Sequence, residues 1–430
     1  MINPMLSINY FLEVVAFITV MIVFITFFYF FFRHIVRRNK SSFIKVGILH
    51  SLTGTMAISE KSVVDAMLLA IDDINLKGGV LGRKIKPIIA DGCSDADVFA
   101  KKAEKLILKD KVSVIFGCWT SDCRKAVKVI VEKHEHLLVY PLQYEGLEES
   151  KNIIYCGAIP NQQIIPAIKW VFDNLGKRFF LVGSDYIFPH TANEIIKDQV
   201  KALKGEVVGE EYLPLGSSDA SSIVSKILKS NPDVIINTIN GSSNVDFFKA
   251  LRKSNIMPSN IPSMSFSIGA EELKHLNDCD MVGDYAAWSY FQEIPSMINQ
   301  IFVQKYKEKY GKHRVTDDPI ETGYLSVLLW SEAAQEAKTD DTLAVREVMK
   351  HQFCYAPEGR VAIDADNQHT ARILRIGKIR KDGKFDIVWT SGHLILPSPY
   401  PEFRTKQEWD TFLHSLYKKW GNRWSSPEKN

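Results

Sequence analysis

From Ile44 onward, short apolar runs alternate with amphipathic stretches, and this alternation limits the fold more than any other feature of the chain. "IKVGILH" has the make-up of a buried strand, and "SEKSVVDAMLLAIDDINLKGG" follows it with Val63, Met67, Ala70 or Ile71, and Ile74 on one helical face. Gly78 and Gly79 then supply a helix stop. The pattern recurs as "KIKPIIADG" with "ADVFAKKAEKLILK", "VSVIFG" with "SDCRKAVKVIVEKH", and then "HLLVYP". Strands separated by helices pair in parallel, with helices covering both faces of the sheet. A second series begins near Asn161 with "RFFLVGSDY", "TANEIIKDQVKALKG", "EVVGEEYLPL", "ASSIVSKILKSNP", "DVIINTIN" and "SNVDFFKALRKSNI". Two doubly wound α/β units in tandem predict two lobes with a cleft between them. After "GDYAAWSYF" the order changes to long helical stretches, and "ILRIGKIRKDGKFDIVW" predicts a hairpin about Asp382-Gly383. No low-complexity linker separates the units, so a hinge is expected.

The 430 residues suffice for two ordinary domains, and a formal charge of +3 is too small to recruit nucleic acid or an acidic surface through a global field. Six cysteines form no CxxC pair, and Cys118 and Cys123 lie five apart, a poor fit to a zinc or redox site. "VVAFITVMIVFITFFYFFF", Val14 to Phe32, carries no charge and has the length of a bilayer core, so an N-terminal transmembrane helix is expected. The flank "RHIVRRNK" is basic while Met1 to Phe32 holds no Lys or Arg, and the positive-inside rule then places everything after Phe32 in the cytoplasm. A cleavable signal fits poorly, because the basic residues follow the apolar run and no A-x-A-like site comes after it.

Ligands of open α/β sheets bind at the carboxyl ends of strands. Here those positions read "HSLTGT" (His50 to Thr55), "CWTS" (Cys118 to Ser121), "YPLQYEG" (Tyr140 to Gly146), "GSDYIFPHT" (Gly183 to Thr191), "TINGSSN" (Thr238 to Asn244) and "MSFS" (Met264 to Ser267). Indole, phenol, hydroxyl and amide groups suit a small, polar, neutral ligand held by many hydrogen bonds. Each residue also has a structural alternative: Thr120 or Ser121 as a helix cap, Trp119 as core, Asp185 as the cap of the helix from Pro189, and Tyr140 as inner-sheet packing. A thiol nucleophile at Cys118 needs a histidine base, and His134 and His136 sit at the far end of the next helix, so both cysteines read as inert packing. "GGVLGRK" lacks Walker spacing and reads as a turn. No metal or cofactor motif is present.

The stretches "GCWTS", "RKAV", "YPLQYEG", "GAIPNQQIIPAIKW", "LVGSDYIFPHTAN", "NGSSN", "AAWSYFQ", "DPIETGYLSVLLW", "APEGRVAIDADNQHT" and "EWDTFLHSLYKKWGNRW" together resemble the branched-amino-acid/amide class of bacterial type I periplasmic binding proteins. Within that class the chain is similar to the urea and short-chain amide binders, from about Phe43 to Pro427. The resemblance implies two α/β lobes joined by three crossovers, following the anchor over 1–42 that hydropathy gives. The first lobe would hold 43–157 and about 285–360, the second 158–284 and about 361–430. It implies no catalytic residue, no cofactor, an ABC permease as partner and a periplasmic location for the soluble part, against the cytoplasmic side given by the basic flank. A ligand-sensing module of the same fold and an amidase are the other readings. Carried over by motif, the ligand contacts are Trp119, Thr120, Ser121, Tyr140, Gln143 and Tyr144 from the first lobe, and Ser184, Asp185, Tyr186, Asn240 and Gly241 from the second. Ser242 and Asp284 depart from the usual "NGDSN" and "GHYAAW", and both are expected near the second-lobe pocket or hinge. Asp122-Cys123 replaces a small uncharged pair and is expected on the helix, where it matters less.

Overall fold

A computed structural model describes residues 13–28, 42–277 and 279–427. Residues 13–28 form helix α1, with Phe17, Val20, Val23 and Phe24 exposed. Among the described residues no helix is long and apolar enough to cross a membrane. The span expected over Val14 to Phe32 is therefore unsupported. Tyr29 to Phe32 and the basic flank lie outside the described residues.

The remainder, from Ile44, is one compact unit. Its first half runs β1 (Phe43–His50), α2 (Ala57–Leu76), β2 (Lys84–Asp91), α3 (Ala96–Lys105), β3 (Ile115–Gly117), α4 (Ser121–Lys133), β4 (Leu138–Tyr140) and β5 (Ile153–Tyr155). These strands form a five-stranded sheet in the order β2-β1-β3-β4-β5, with β1, β3, β4 and β5 parallel. Local chemistry sets the helix ends. The Asp95 side chain accepts from the Val98 amide to start α3, and the left-handed Gly78 and Gly79 return the chain after α2, with the Gly79 amide bonded to the Ile74 carbonyl at 2.9 Å.

The second half runs α5 (Ile164–Asn174), β6 (Arg178–Ser184), α6 (Ile187–Ala202), β7 (Glu206–Leu213), α7 (Ser221–Ser230), β8 (Val234–Thr238), α8 (Ser243–Lys253), β9 (Ser263–Ser265), α9 (Ala270–Leu273) and β10 (Tyr285–Trp288). Then come α10 (Met297–Tyr310), α11 (Asp318–Ala337), α12 (Thr342–Met349), β11 (Phe353–Ala356), β12 (Gly359–Ile363), β13 (Thr370–Ala371), β14 (Arg375–Ile379), β15 (Phe385–Thr390) and α13 (Lys406–Lys419). The second sheet has the order β15-β14-β10-β9-β8-β6-β7. Strands β10, β9, β8, β6 and β7 are parallel, β14 pairs antiparallel with β10, and β14 and β15 form the antiparallel hairpin that the Asp382-Gly383 turn predicts.

Both faces of this sheet are covered at its centre, which explains why β6 and β8 are buried along nearly their whole length rather than alternating. Along β6, Phe179 and Leu181 point into a core shared with α5, α6 and α13, while Phe180 and Val182 point into one shared with α7 and α8. A third, three-stranded sheet, β11-β12-β13, joins α11 and α12 in the core of the first half. The chain therefore passes between the halves three times: after β5, after β10 and after β13. The second passage falls later than the 284/285 boundary expected from the sequence, because Tyr285–Trp288 pairs with β9 and β14 inside the second sheet. The third falls beyond 361, because β12 and β13 stay with the first half.

Candidate functional site

The carboxyl ends of the parallel strands in both halves converge on buried polar loops. After β3 the chain must turn at once: a Cβ on Gly117 would lie 2.0 Å from the Leu49 carbonyl oxygen, and Cys118 takes a left-handed φ of 68°. This turn delivers Trp119 and Thr120 to the start of α4, both buried. Thr120 occupies the cap position without making a side-chain cap bond, and the Trp119 indole N–H has no partner among the described residues.

Ser121, Tyr140 and Tyr144 are engaged elsewhere. The Ser121 hydroxyl donates to Glu145 and accepts from Arg124 at 2.8 Å. Arg124 is fully buried, and its guanidinium reaches Glu145 and Glu148 at 3.0 Å each and lies over the rings of Tyr144 and Tyr140. Lys125 adds a second cation to Glu148 at 3.0 Å. Burial opposes the charge on Glu148, but Arg124, Lys125 and Lys128 outweigh it and hold the carboxyl well below the ordinary range. The Tyr140 hydroxyl donates to the Trp119 carbonyl at 2.6 Å, and the Tyr144 hydroxyl meets His369 Nε2 at 2.6 Å. His369 stacks on Tyr155, and burial pushes its pKa down to about 3, so the ring is neutral. These three sequence candidates brace a charge-balanced cluster behind the Trp119 loop.

Gln143 bridges the halves, its Nε2 donating to the Phe266 carbonyl at 3.0 Å while its Oε1 is buried without a partner. In the second half, the Ser184 hydroxyl accepts from the Asn240 amide at 3.0 Å. Asn240 donates from Nδ2 to Thr238 O, and its side-chain oxygen receives no hydrogen bond among the described residues. Tyr186 is buried at the start of α6 with its hydroxyl unpartnered among the described residues. Asp185 is half-buried and bonded to His190 at 2.7 Å; burial acts against its charge, but the His190 and Ser426 bonds prevail and lower its pKa. Gly241 is left-handed, and a Cβ there would lie 2.9 Å from Met56 Sδ, so this loop rests directly on the first half.

Residue-level reading of the sequence missed two groups. Ser267 Oγ and His50 Nε2 are buried and unpaired, and His50 Nδ1 is tied to the buried Glu60 at 2.7 Å. Both lie in strand-end stretches that topology singles out, but neither carries a motif of its own. Of the three departures, Asp284 falls away from where it is expected. Ser242 does sit at the Asn240 loop, starting α8. Asp284 lies at the opposite, amino end of β10, where it pairs with Arg252 and accepts from the Ser263 amide at 2.7 Å; burial pushes it up to about 6. Asp122 lies in the first turn of α4 and lines the mouth of the cleft, a cavity of about 650 Å³ shared with Thr55, Ser94, Asp185, Tyr186 and Tyr212. Burial raises its pKa.

Two doubly wound halves that close strand-end loops on unpaired neutral polar groups define a two-lobed binding protein. Residues 44–406 match the periplasmic binding protein domain family, and the chain belongs to it. The Leu/Ile/Val-binding protein homolog 7 of Brucella suis biovar 1 is 23% identical over 390 residues, covering 84% of this chain and 95% of that protein. A solute-binding protein of an ABC transporter from R. palustris, solved in complex with 4-hydroxybenzoate, superposes with a TM-score of 0.74 at 20% identity over 81% of this chain and 96% of that one. The limonene hydroxylase of Geobacillus stearothermophilus is 32% identical over 117 residues, but the match covers 27% of this chain and only 21% of that protein. The protein is a binding protein and not an enzyme.

Proposed function

We propose that the protein is the solute-binding component of an ABC transporter and that it takes urea or a short-chain amide between its two lobes. The observation that carries this reading is the set of unpaired groups at the strand ends. Trp119 Nε1 and the Tyr186 hydroxyl can donate to a carbonyl, and Gln143 Oε1 and the Asn240 side-chain oxygen can accept from NH₂ groups. None of these four groups is charged, which suits a neutral ligand. Urea has four heavy atoms, and at about −1.5 kcal/mol per atom the ceiling is about −6 kcal/mol, a Kd of roughly tens of micromolar. Titration with urea, formamide, acetamide and leucine, followed by tryptophan fluorescence, should give a response to the first three only; a response to leucine alone would overturn the reading. The apolar α1 suits a membrane anchor holding the lobes in the periplasm beside the permease, and protease protection on spheroplasts tests that placement: digestion of the lobes from outside supports it, and protection refutes it.

A further inference from the structure

One side chain ties the three connections between the halves together, two of them directly and one through Asp318. Arg372 is fully buried on the third connection. Its Nη1 donates to the carbonyl of Cys156, on the first connection, at 3.0 Å. Its Nη2 donates to Thr322 Oγ1 at 3.0 Å and lies 3.5 Å from Asp318 Oδ2. Asp318 in turn accepts from the Ser289 and Tyr290 amides, at 2.9 Å each, where the second connection leaves β10. Glu358, in the turn between β11 and β12, approaches Arg372 at 2.7 Å, and Glu321 of α11 lies at 4.0 Å.

The charges in this cluster do not balance. Three buried carboxyl groups, Asp318, Glu321 and Glu358, face two guanidiniums, Arg372 and Arg375. The remaining titratable groups facing them are Cys156, Cys354 of β11, Tyr290 and Tyr324 of α11, whose pKa values burial raises and which therefore stay neutral. The surplus falls on the glutamates. The 2.7 Å approach of Arg372 to Glu358 lacks hydrogen-bond geometry, so both Glu358 oxygens are unbonded, as are Glu321 Oε2 and Arg372 Nε. A buried carboxylate without donors is relieved by taking up a proton.

We propose that the Arg372 cluster is the hinge of the molecule, and that a single proton shared between Glu321 and Glu358 keeps it clamped. When that proton leaves to water, a third negative charge faces the two guanidiniums. Repulsion then separates the β11–β12 turn from α11 and loosens the Asp318 grip on Ser289 and Tyr290. The proposal extends the two-lobed binding reading but needs no particular solute. Burial raises the pKa of both glutamates, Glu358 to about 7, so the release falls at neutral pH.

The test uses the ligand-free full chain. An infrared pH titration should show a protonated-carboxyl band that disappears near neutral pH and is lost in Glu358→Gln and in Glu321→Gln. Hydrogen exchange at Ser289 and Tyr290 should be several-fold faster in the wild type than in Glu358→Gln at about pH 8, and equal in the two at about pH 5.5. Because Asp284 and Asp122 can contribute bands of their own, a protonated-carboxyl band whose intensity neither substitution lowers overturns the shared proton, and exchange that is equal at both pH values overturns the hinge. If one variant fails to fold, the other and the wild-type titration still decide the point. Because no solute is added, a negative result here leaves the amide reading untouched.

Discussion

A buried acceptor without a donor weakens the fold by about 1–3 kcal/mol, so an unpaired one at a strand end reads as a place prepared for a ligand. Gln143 Oε1 is such an acceptor. Asn240→Ala should weaken amide binding about tenfold, the equivalent of one hydrogen bond, while leaving stability nearly unchanged. Gln143→Ala should weaken it further, because the bond from Nε2 to Phe266 across the halves is lost as well. Both are read by fluorescence titration, and an unaltered affinity in either variant removes that residue from the site. Arg124 belongs to the opposite class. Among the described residues, Arg124→Met would leave buried Glu145 without a paired cation and Glu148 with Lys125 and Lys128, and should destabilise the protein by about 3–5 kcal/mol. Guanidinium is the denaturant for that measurement, since urea is the proposed ligand. Trp119 and Gln143 could be selected from sequence because strand-end loops are recognisable. The engagement of Ser121 and Tyr144 could not, because it depends on Glu145, 24 positions from Ser121, and on His369, 225 from Tyr144.

At the level of elements, periodicity and turn chemistry were legible because they are local. The β1–α2 unit, the glycine stop after α2 and the β14–β15 hairpin each follow from a few adjacent residues. The points where the chain changes sheet were not legible, since β10 is apolar whichever sheet it joins. Two glycines separate these cases experimentally. A Cβ at Gly383, in the open hairpin turn, meets nothing within 4 Å, so Gly383→Ala meets only the strain of its left-handed φ, on the order of 1 kcal/mol. Gly117→Ala would drive a methyl to within 2.0 Å of the Leu49 carbonyl oxygen and force β1 and β3 apart where the cleft begins. It should lower the Tm by several degrees more than Gly383→Ala and weaken ligand binding, which Gly383→Ala leaves intact; equal effects of the two would mean that the β3 turn tolerates movement.

For the molecule as a whole, two buried groups make stability depend on pH in opposite senses. His369, neutral behind the Trp119 loop, has a folded pKa of about 3, below the 6.5 of the free side chain. Between those values the unfolded chain binds a proton that the folded one refuses, so this contribution is complete above about pH 6.5 and is lost as pH falls toward 3. Glu358 is raised from 4.5 to about 7. In that window the folded protein holds the proton that the unfolded chain releases, so its contribution is complete below about pH 4.5 and is lost as pH rises to 7. The two windows overlap between about pH 4.5 and 6.5, where the wild-type curve shows only their difference. Substitution separates them. Relative to wild type, His369→Gln should gain stability progressively as pH falls below about 6.5, and Glu358→Gln should gain it as pH rises from about 4.5 to 7 and hold it above. Chemical unfolding in guanidinium at matched pH values measures both differences. Slopes of the same sign would mean that one of these groups is not buried in the charge state described here. Opposite slopes would show that the folded protein holds His369 neutral and Glu358 protonated within these windows, and additive differences in the double variant would show that the two groups titrate independently.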